Sequence, residues 1–129
     1  DITGDQRGAA FSDYNRDGKV DLLVGQNNGQ SKLYQNRNAK RGLIVQLKGL
    51  KNNPKAIGAK IQLVSMYKKG PIREVKGGGG YRSQDSAFQV LSLNDPSLNK
   101  VRVIWPNSKI SETSFSPDSK IIKIEEPSK

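Results

Sequence analysis

Between residues 43 and 64 aliphatic side chains fall on every second position. Leu43, Val45 and Leu47 alternate with Ile44, Gln46 and Lys48, and Ile57, Ala59, Ile61 and Leu63 alternate with Gly58, Lys60, Gln62 and Val64. A period of two belongs to an extended chain, whose successive side chains point to opposite faces, and it does not fit a helix of 3.6 residues per turn. Each run predicts a half-buried strand, the second extending toward Tyr67, with Lys51-Asn52-Asn53-Pro54-Lys55 as the polar turn between them. Further strands are predicted at 72–76, 87–93, 101–105, 110–115 and 120–124, joined by the proline-bearing segments 94–97 and 116–119. No segment carries a helical period longer than one turn. Short strands at this spacing predict an all-β fold, either an antiparallel β-sandwich or a small barrel.

Residues 1–40 read as a different unit from residues 41–129. Phe11 leads into Asp13-Tyr14-Asn15-Arg16-Asp17-Gly18-Lys19-Val20-Asp21, a strand follows at 20–24, Gly25-Gln26-Asn27-Asn28-Gly29 supplies turn chemistry, and a second strand is predicted at 31–36. This is one β-hairpin and part of a neighbour. A lone hairpin is marginal in water, so it is expected to pack on something else.

The segment 13–21 sets oxygen-bearing side chains at every second position around a turn glycine. Calcium takes six to eight oxygens at short range, and alternate residues of a tight turn can supply them. Asp13, Asn15, Asp17 and Asp21 would give side-chain oxygens, and Lys19 its backbone carbonyl while its ammonium points to solvent. An EF-hand needs flanking helices and a bidentate Glu at the twelfth position, which here is Val24, so that reading fails. The competing explanation is a capped turn in which Asp13 and Asn15 bond backbone N–H groups and no ion is held. Carboxylates crowded without a cation repel by about 1 kcal/mol per pair at ~4 Å in water, and by more away from it.

The stretch GAAFSDYNRDGKVDLLVGQNNGQSKLYQN resembles the FG-GAP (VCBS-like) repeats of integrin-type β-propellers, with Asn15 where many repeats carry Asp. From residue 42 onward, GLIVQLKGLKNNPKAIGAKIQLV, then REVKGGGGYRSQDS, then VRVIWPNSK are similar in order and spacing to the ASPIC/UnbV domain that follows such repeats in cartilage acidic protein-like and bacterial exported proteins. Two departures stand out: Leu91-Ser92-Leu93-Asn94-Asp95 replaces a Phe-Gly-Leu-Gly-like segment, and Asn107-Ser108 stands where Asp-Gly is common. The resemblance implies a partial calcium repeat over 1–40, contributing an N-terminal β-hairpin of propeller type, and an ASPIC/UnbV-like β domain over 41–129. It also implies an extracellular or cell-surface location, calcium as the cofactor, and binding or adhesion rather than catalysis, with a glycan or an extracellular protein as partner. The chain opens without an initiator Met or a signal peptide, so it is expected to be a piece of a longer protein.

Cysteine and histidine are absent, which removes thiol nucleophiles, disulfides, the usual zinc sites and an imidazole base. The net charge of +10 is uneven: residues 1–40 carry +1 and residues 41–129 carry +9. A basic surface attracts polyanions in a salt-dependent way, so polyanion or nucleic-acid binding through Lys60, Lys68, Lys69 and Arg82 is the alternative function. Scattered lysines along strands more often make a solvated surface. No apolar run is long enough to predict a membrane-spanning helix.

The glycine run 77–80 lacks the following helix that a phosphate loop needs, and reads as a sharp loop between strands. A ligand lip there would use Gly79, with Tyr81 for stacking and Arg82, Gln84 and Asp85 for polar contacts. Trp105 lies in line with Val101 and Val103 and is expected in the core rather than against a sugar. Glu74, Asp85 and Glu112 are the remaining carboxylates from which a glycosidase pair could be drawn, and nothing in their spacing pairs them.

Overall fold

The computed structural model describes residues 5–79 and 87–128. These fold into β1 (Asp5–Ser12), β2 (Asp21–Asn27), β3 (Lys32–Tyr34), β4 (Leu43–Lys48), β5 (Lys60–Val64), β6 (Lys69–Glu74), β7 (Gln89–Leu91), β8 (Lys100–Ile104), β9 (Ile110–Ser114) and β10 (Ile121–Glu125). Three sheets result, ordered β1-β2-β3, β10-β4-β7 and β6-β5-β8-β9. The all-β reading holds, and none of the sheets closes into a barrel.

The second and third sheets share one core. Leu43, Val45 and Leu47 from β4, Leu91 from β7 and Ile124 from β10 meet Ile61 and Leu63 from β5 and Val101 and Val103 from β8. Register explains why these side chains agree on a face: Ile61 is opposite Val103, Leu63 opposite Val101, and Leu43 opposite Leu91. Each such side chain contributes roughly 1.5–3 kcal/mol by leaving water, so this interior is the main source of stability. Trp105 closes the cluster at 1% exposure, as expected, and its indole N–H donates to Ser111 Oγ at 2.8 Å, which removes the cost of burying that donor.

One pairing departs from the expected antiparallel pattern. β10 runs parallel to β4, with Ile121 beside Ile44 and Glu125 beside Lys48. Alternation reports the face of a side chain and not the direction of its strand, so the sequence pattern is the same either way. A parallel neighbour needs a long connection, and here the excursion through β5 to β9 supplies it.

A second difference lies at Ile57, predicted as the start of a strand. The Asn53 side chain bonds both the N–H and the carbonyl of Ile57, Ala56 takes a φ of 52° and Gly58 a φ of 87°, and the strand begins only at Lys60. The alternation across 57–59 is therefore the end of a turn, with Ala59 buried and Ile57 exposed.

The expected hairpin is present as β2 and β3, and β1 adds a third strand that makes the first sheet a meander. β1 pairs antiparallel with β2, placing Phe11 opposite Leu22 and Ser12 opposite Asp21, and β2 pairs with β3. Gln6-Arg7-Gly8-Ala9-Ala10 has no β-branched residue, which is why β1 is weakly marked in the sequence.

Candidate functional site: an acidic loop and the cleft it borders

The loop between β1 and β2 is closed by its own carboxylates. Asp13 Oδ1 accepts from the Asp17 N–H at 3.0 Å and Oδ2 from the Gly18 N–H at 2.8 Å. Asn15 Oδ1 accepts from Asp17 N–H at 3.2 Å, Asp17 Oδ1 from Lys19 N–H at 2.9 Å, and Asp17 Oδ2 from the Asn15 amide at 3.1 Å. Asp21 reaches across to the next segment, accepting from Asn36 N–H at 2.8 Å and from Tyr14 N–H at 3.4 Å. Gly18 has a φ of 82°, a conformation that a side chain disfavours, so glycine is required at the turn. The Lys19 ammonium, expected in solvent, instead donates to the Arg37 carbonyl at 2.9 Å, because the chain after β3 folds back beside the loop.

The five residues nominated for a cation, Asp13, Asn15, Asp17, Lys19 and Asp21, are thus brought into one loop. Among the described residues no group of three or more acidic side chains stands ready to enclose an ion. The donor set nevertheless fits a hard cation in its chemistry. Asp13 and Asp21 are 7% and 2% exposed, and among the described residues neither is paired with a basic side chain. Buried carboxylates balanced only by N–H dipoles are what a cation would neutralise, and each oxygen that accepts one hydrogen bond keeps a second lone pair.

The loop also sits against the second sheet. Gly42 N–H donates to the Gly18 carbonyl at 2.8 Å, and the Arg16 guanidinium lies 5.5 Å from the centre of the Phe88 ring. Asp13 and Arg16 border a small cavity of about 90 Å³ together with Ile44, Gln46 and Ile121. This explains why Ile44, on the face of β4 away from the core, is only 3% exposed.

Beside this junction runs a cleft with two arms. The larger, about 730 Å³, is lined by Phe11, Ser12, Asp13 and Val20 from the first unit and by Ile72, Arg73, Glu74, Lys76 and Phe88 from the other. The smaller, about 480 Å³, is lined by Lys19, Lys40, Arg41 and Arg73 with Ser92 and Asn94. Val20, Arg73 and Val90 belong to both, so the arms adjoin.

Of the residues nominated for a ligand lip, Gly79 lines the larger arm, and a side chain there would meet nothing within 4 Å. Tyr81, Arg82, Gln84 and Asp85 lie outside the described residues. Gly78 has a φ of 116°, in keeping with a sharp loop. Asp13, Lys19 and Glu74, singled out in the sequence for other roles, also line the cleft; the rest of its lining escaped the sequence reading because it comes from five separate segments that only the fold gathers. Of the cations nominated for polyanions, Lys60 and Lys69 are exposed on the third sheet, Lys68 is ion-paired with Asp95, and Arg82 lies outside the described residues. Asp95 is thereby drawn down to about 2, first by the hydrogen bond from Lys68 and then by those from Ser97. Glu74 on β6 and Glu112 on β9 occupy opposite edges of the third sheet, roughly 14 Å apart at about 4.8 Å per strand, beyond the reach of a glycosidase pair. Asp85 lies outside the described residues.

The protein family described as ASPIC and UnbV matches residues 49–129, more than half of the chain. The chain belongs to the ASPIC and UnbV family. The match begins at Gly49, just past β4, and so takes in β5 to β10, while the acidic loop lies before it. The ASPIC and UnbV segment therefore supplies Arg73 and Phe88 to the cleft, and the preceding segment supplies Phe11, Lys19 and Arg41. A comparison of the chain with curated proteins finds no match.

Proposed function

We propose that this chain is a non-catalytic binding module of an exported protein, seating a glycan or an extracellular protein in the two-armed cleft. The 13–21 loop, on this reading the remnant of an FG-GAP/VCBS-type repeat, fastens the first sheet to the sandwich, and calcium held by Asp13, Asn15, Asp17, Asp21 and the Lys19 carbonyl stiffens that joint. One observation carries the reading: the larger arm is lined from both units, by Phe11 and Val20 of the first and by Ile72 and Phe88 of the other. A lining that mixes apolar side chains with the charged Asp13, Arg73, Glu74 and Lys76 suits a ligand whose surface is part apolar and part polar. A calcium joint also suits an extracellular setting, where sites of this kind bind at ~10⁻⁴–10⁻³ M.

The test is a glycan array, with immobilised extracellular proteins beside it, probed with the wild-type chain and with Phe11→Ser and Ile72→Asp. Both substituted residues are more than half exposed, so the fold should tolerate the changes. The expected outcome is selective binding by the wild type that both variants lose. Binding left intact by both variants would overturn the assignment of the cleft.

A further inference from the structure

We infer that the smaller arm of the cleft is an anion subsite, and that the ligand is a sugar chain bearing carboxylate or sulfate groups. This rests on the proposal that the cleft is the ligand seat, and it names the class of ligand.

Four cationic side chains, Lys19, Lys40, Arg41 and Arg73, line this arm, and no acidic residue does among the described residues. Four of the described acids pair with other cations, Asp5 with Arg7, Glu125 with Lys48, Asp95 with Lys68, and Glu112 with Lys100 and Arg102, while Asp13 and Glu74 line the adjoining larger arm. Among the described residues Lys40, Arg41 and Arg73 have no such partner. Like charges converging in a concave wall repel one another and focus a positive potential, and an anion relieves that repulsion. Arg73 stands at the junction of the arms, where a ligand lying on the apolar wall would present its charge.

The remaining lining favours a sugar acid over other polyanions. Ser92 and Asn94 offer a hydroxyl and an amide at the same wall, groups that suit sugar hydroxyls. The cationic arm has no aromatic lining residue, whereas single-stranded nucleic acid is held by stacking bases on such rings along its basic track. Val20 and Val90 between the arms give an apolar strip for the C–H face of a sugar ring.

The experiment is calorimetry of the whole chain with four probes of matched length: a sulfated uronate oligosaccharide, an unsulfated polyuronate, a neutral oligosaccharide and oligo-dT. An acidic peptide is added as a competitor. Arg73→Gln and Lys40→Gln remove cations from the arm, and Lys55→Gln and Lys109→Gln remove the same charge from exposed positions outside it. The inference predicts that one or both acidic sugars bind, the preferred one identifying the charged group. It also predicts that affinity falls roughly tenfold or more between ~50 and ~200 mM salt. Arg73→Gln and Lys40→Gln should each weaken binding several-fold, and the two outside variants should change it less than twofold. Equal losses from all four variants would show scattered charge and overturn the subsite. So would oligo-dT or the acidic peptide outcompeting both sugars. Binding of the neutral sugar as tightly as the acidic ones would overturn this inference and leave the module reading standing, whereas no sugar or protein ligand at the cleft defeats both.

Discussion

The amide of Gly42 donates to the carbonyl of Gly18 at 2.8 Å, and this backbone bond ties the turn of the acidic loop to the residue that precedes β4. The contact is close. A Cβ added to Gly18 would lie 2.5 Å from Arg41 Cγ and 3.0 Å from the Gly42 carbonyl oxygen, at a φ of 82°. Only a residue without a side chain lets loop and strand approach this far.

Gly18→Ala should therefore destabilise the protein by about 2–4 kcal/mol, from left-handed strain of about 1–2 kcal/mol plus displacement at the joint. Gly78→Ala has a φ of 116° but open space around it, and should cost about 1–2 kcal/mol from strain alone. Urea unfolding of both variants, followed by circular dichroism, checks the difference. Equal losses would mean that the Gly18 contact is not tight.

Trp105 is the only tryptophan and is buried, so its fluorescence reports on the sandwich without interference. Emission should be blue-shifted in the folded protein and move to the red in one step with denaturant. Ser111→Ala takes away the acceptor of the indole N–H and should lower stability by about 1–3 kcal/mol. An unchanged midpoint would show that the bond contributes nothing net.

Ser108 holds a φ of 66° in a turn closed by its N–H on the Trp105 carbonyl at 2.9 Å and by the Trp105 N–H on the Lys109 carbonyl at 2.8 Å. The resemblance pointed to glycine as the common residue there, and the turn keeps its left-handed backbone with serine in place. Ser108→Gly should raise stability by about 0.5–1 kcal/mol, relief of left-handed strain outweighing the entropy of an added glycine. A lower unfolding midpoint would contradict this.

The carboxyl of Asp95 sits near pKa 2 because Lys68 and Ser97 hydrogen-bond its charged form. A depressed carboxyl stabilises the fold above its unfolded pKa, near 4, and loses that contribution as the pH falls through the folded value near 2. An NMR titration should place the Asp95 midpoint near 2, and Lys68→Ala should move it up toward the ordinary range. Because the pair is exposed, ~1 M salt should weaken the effect.

The strands of the sandwich were legible in the sequence because one face of each packs into the shared core, which forces the alternation at Leu43, Val45 and Leu47 and at Ile61 and Leu63, whereas the burial of Ile44 and Gln62 on the opposite face was not. Trp105 was legible for the same reason. What stayed hidden had physical causes: strand direction leaves no periodic trace, so the parallel pairing of β10 with β4 could not be read, and β1 has no β-branched residue and only Phe11 with a strand preference. The acidic loop announced itself through its spacing. The cleft did not, since Phe11, Lys40, Arg73 and Phe88 have no sequence relation to one another and meet only when the first sheet docks on the sandwich.

The claim on which the rest depends is that the acidic loop, with calcium, holds the first sheet against the sandwich and so keeps the cleft formed. Hydrogen exchange of the Gly42 amide measures it most directly, because that N–H makes a backbone bond across the joint. The account predicts slow exchange in the wild type, slower again with millimolar calcium, and fast, calcium-independent exchange in Asp17→Ala. A Gly42 amide that exchanges at one rate in both proteins, with and without calcium, would contradict it.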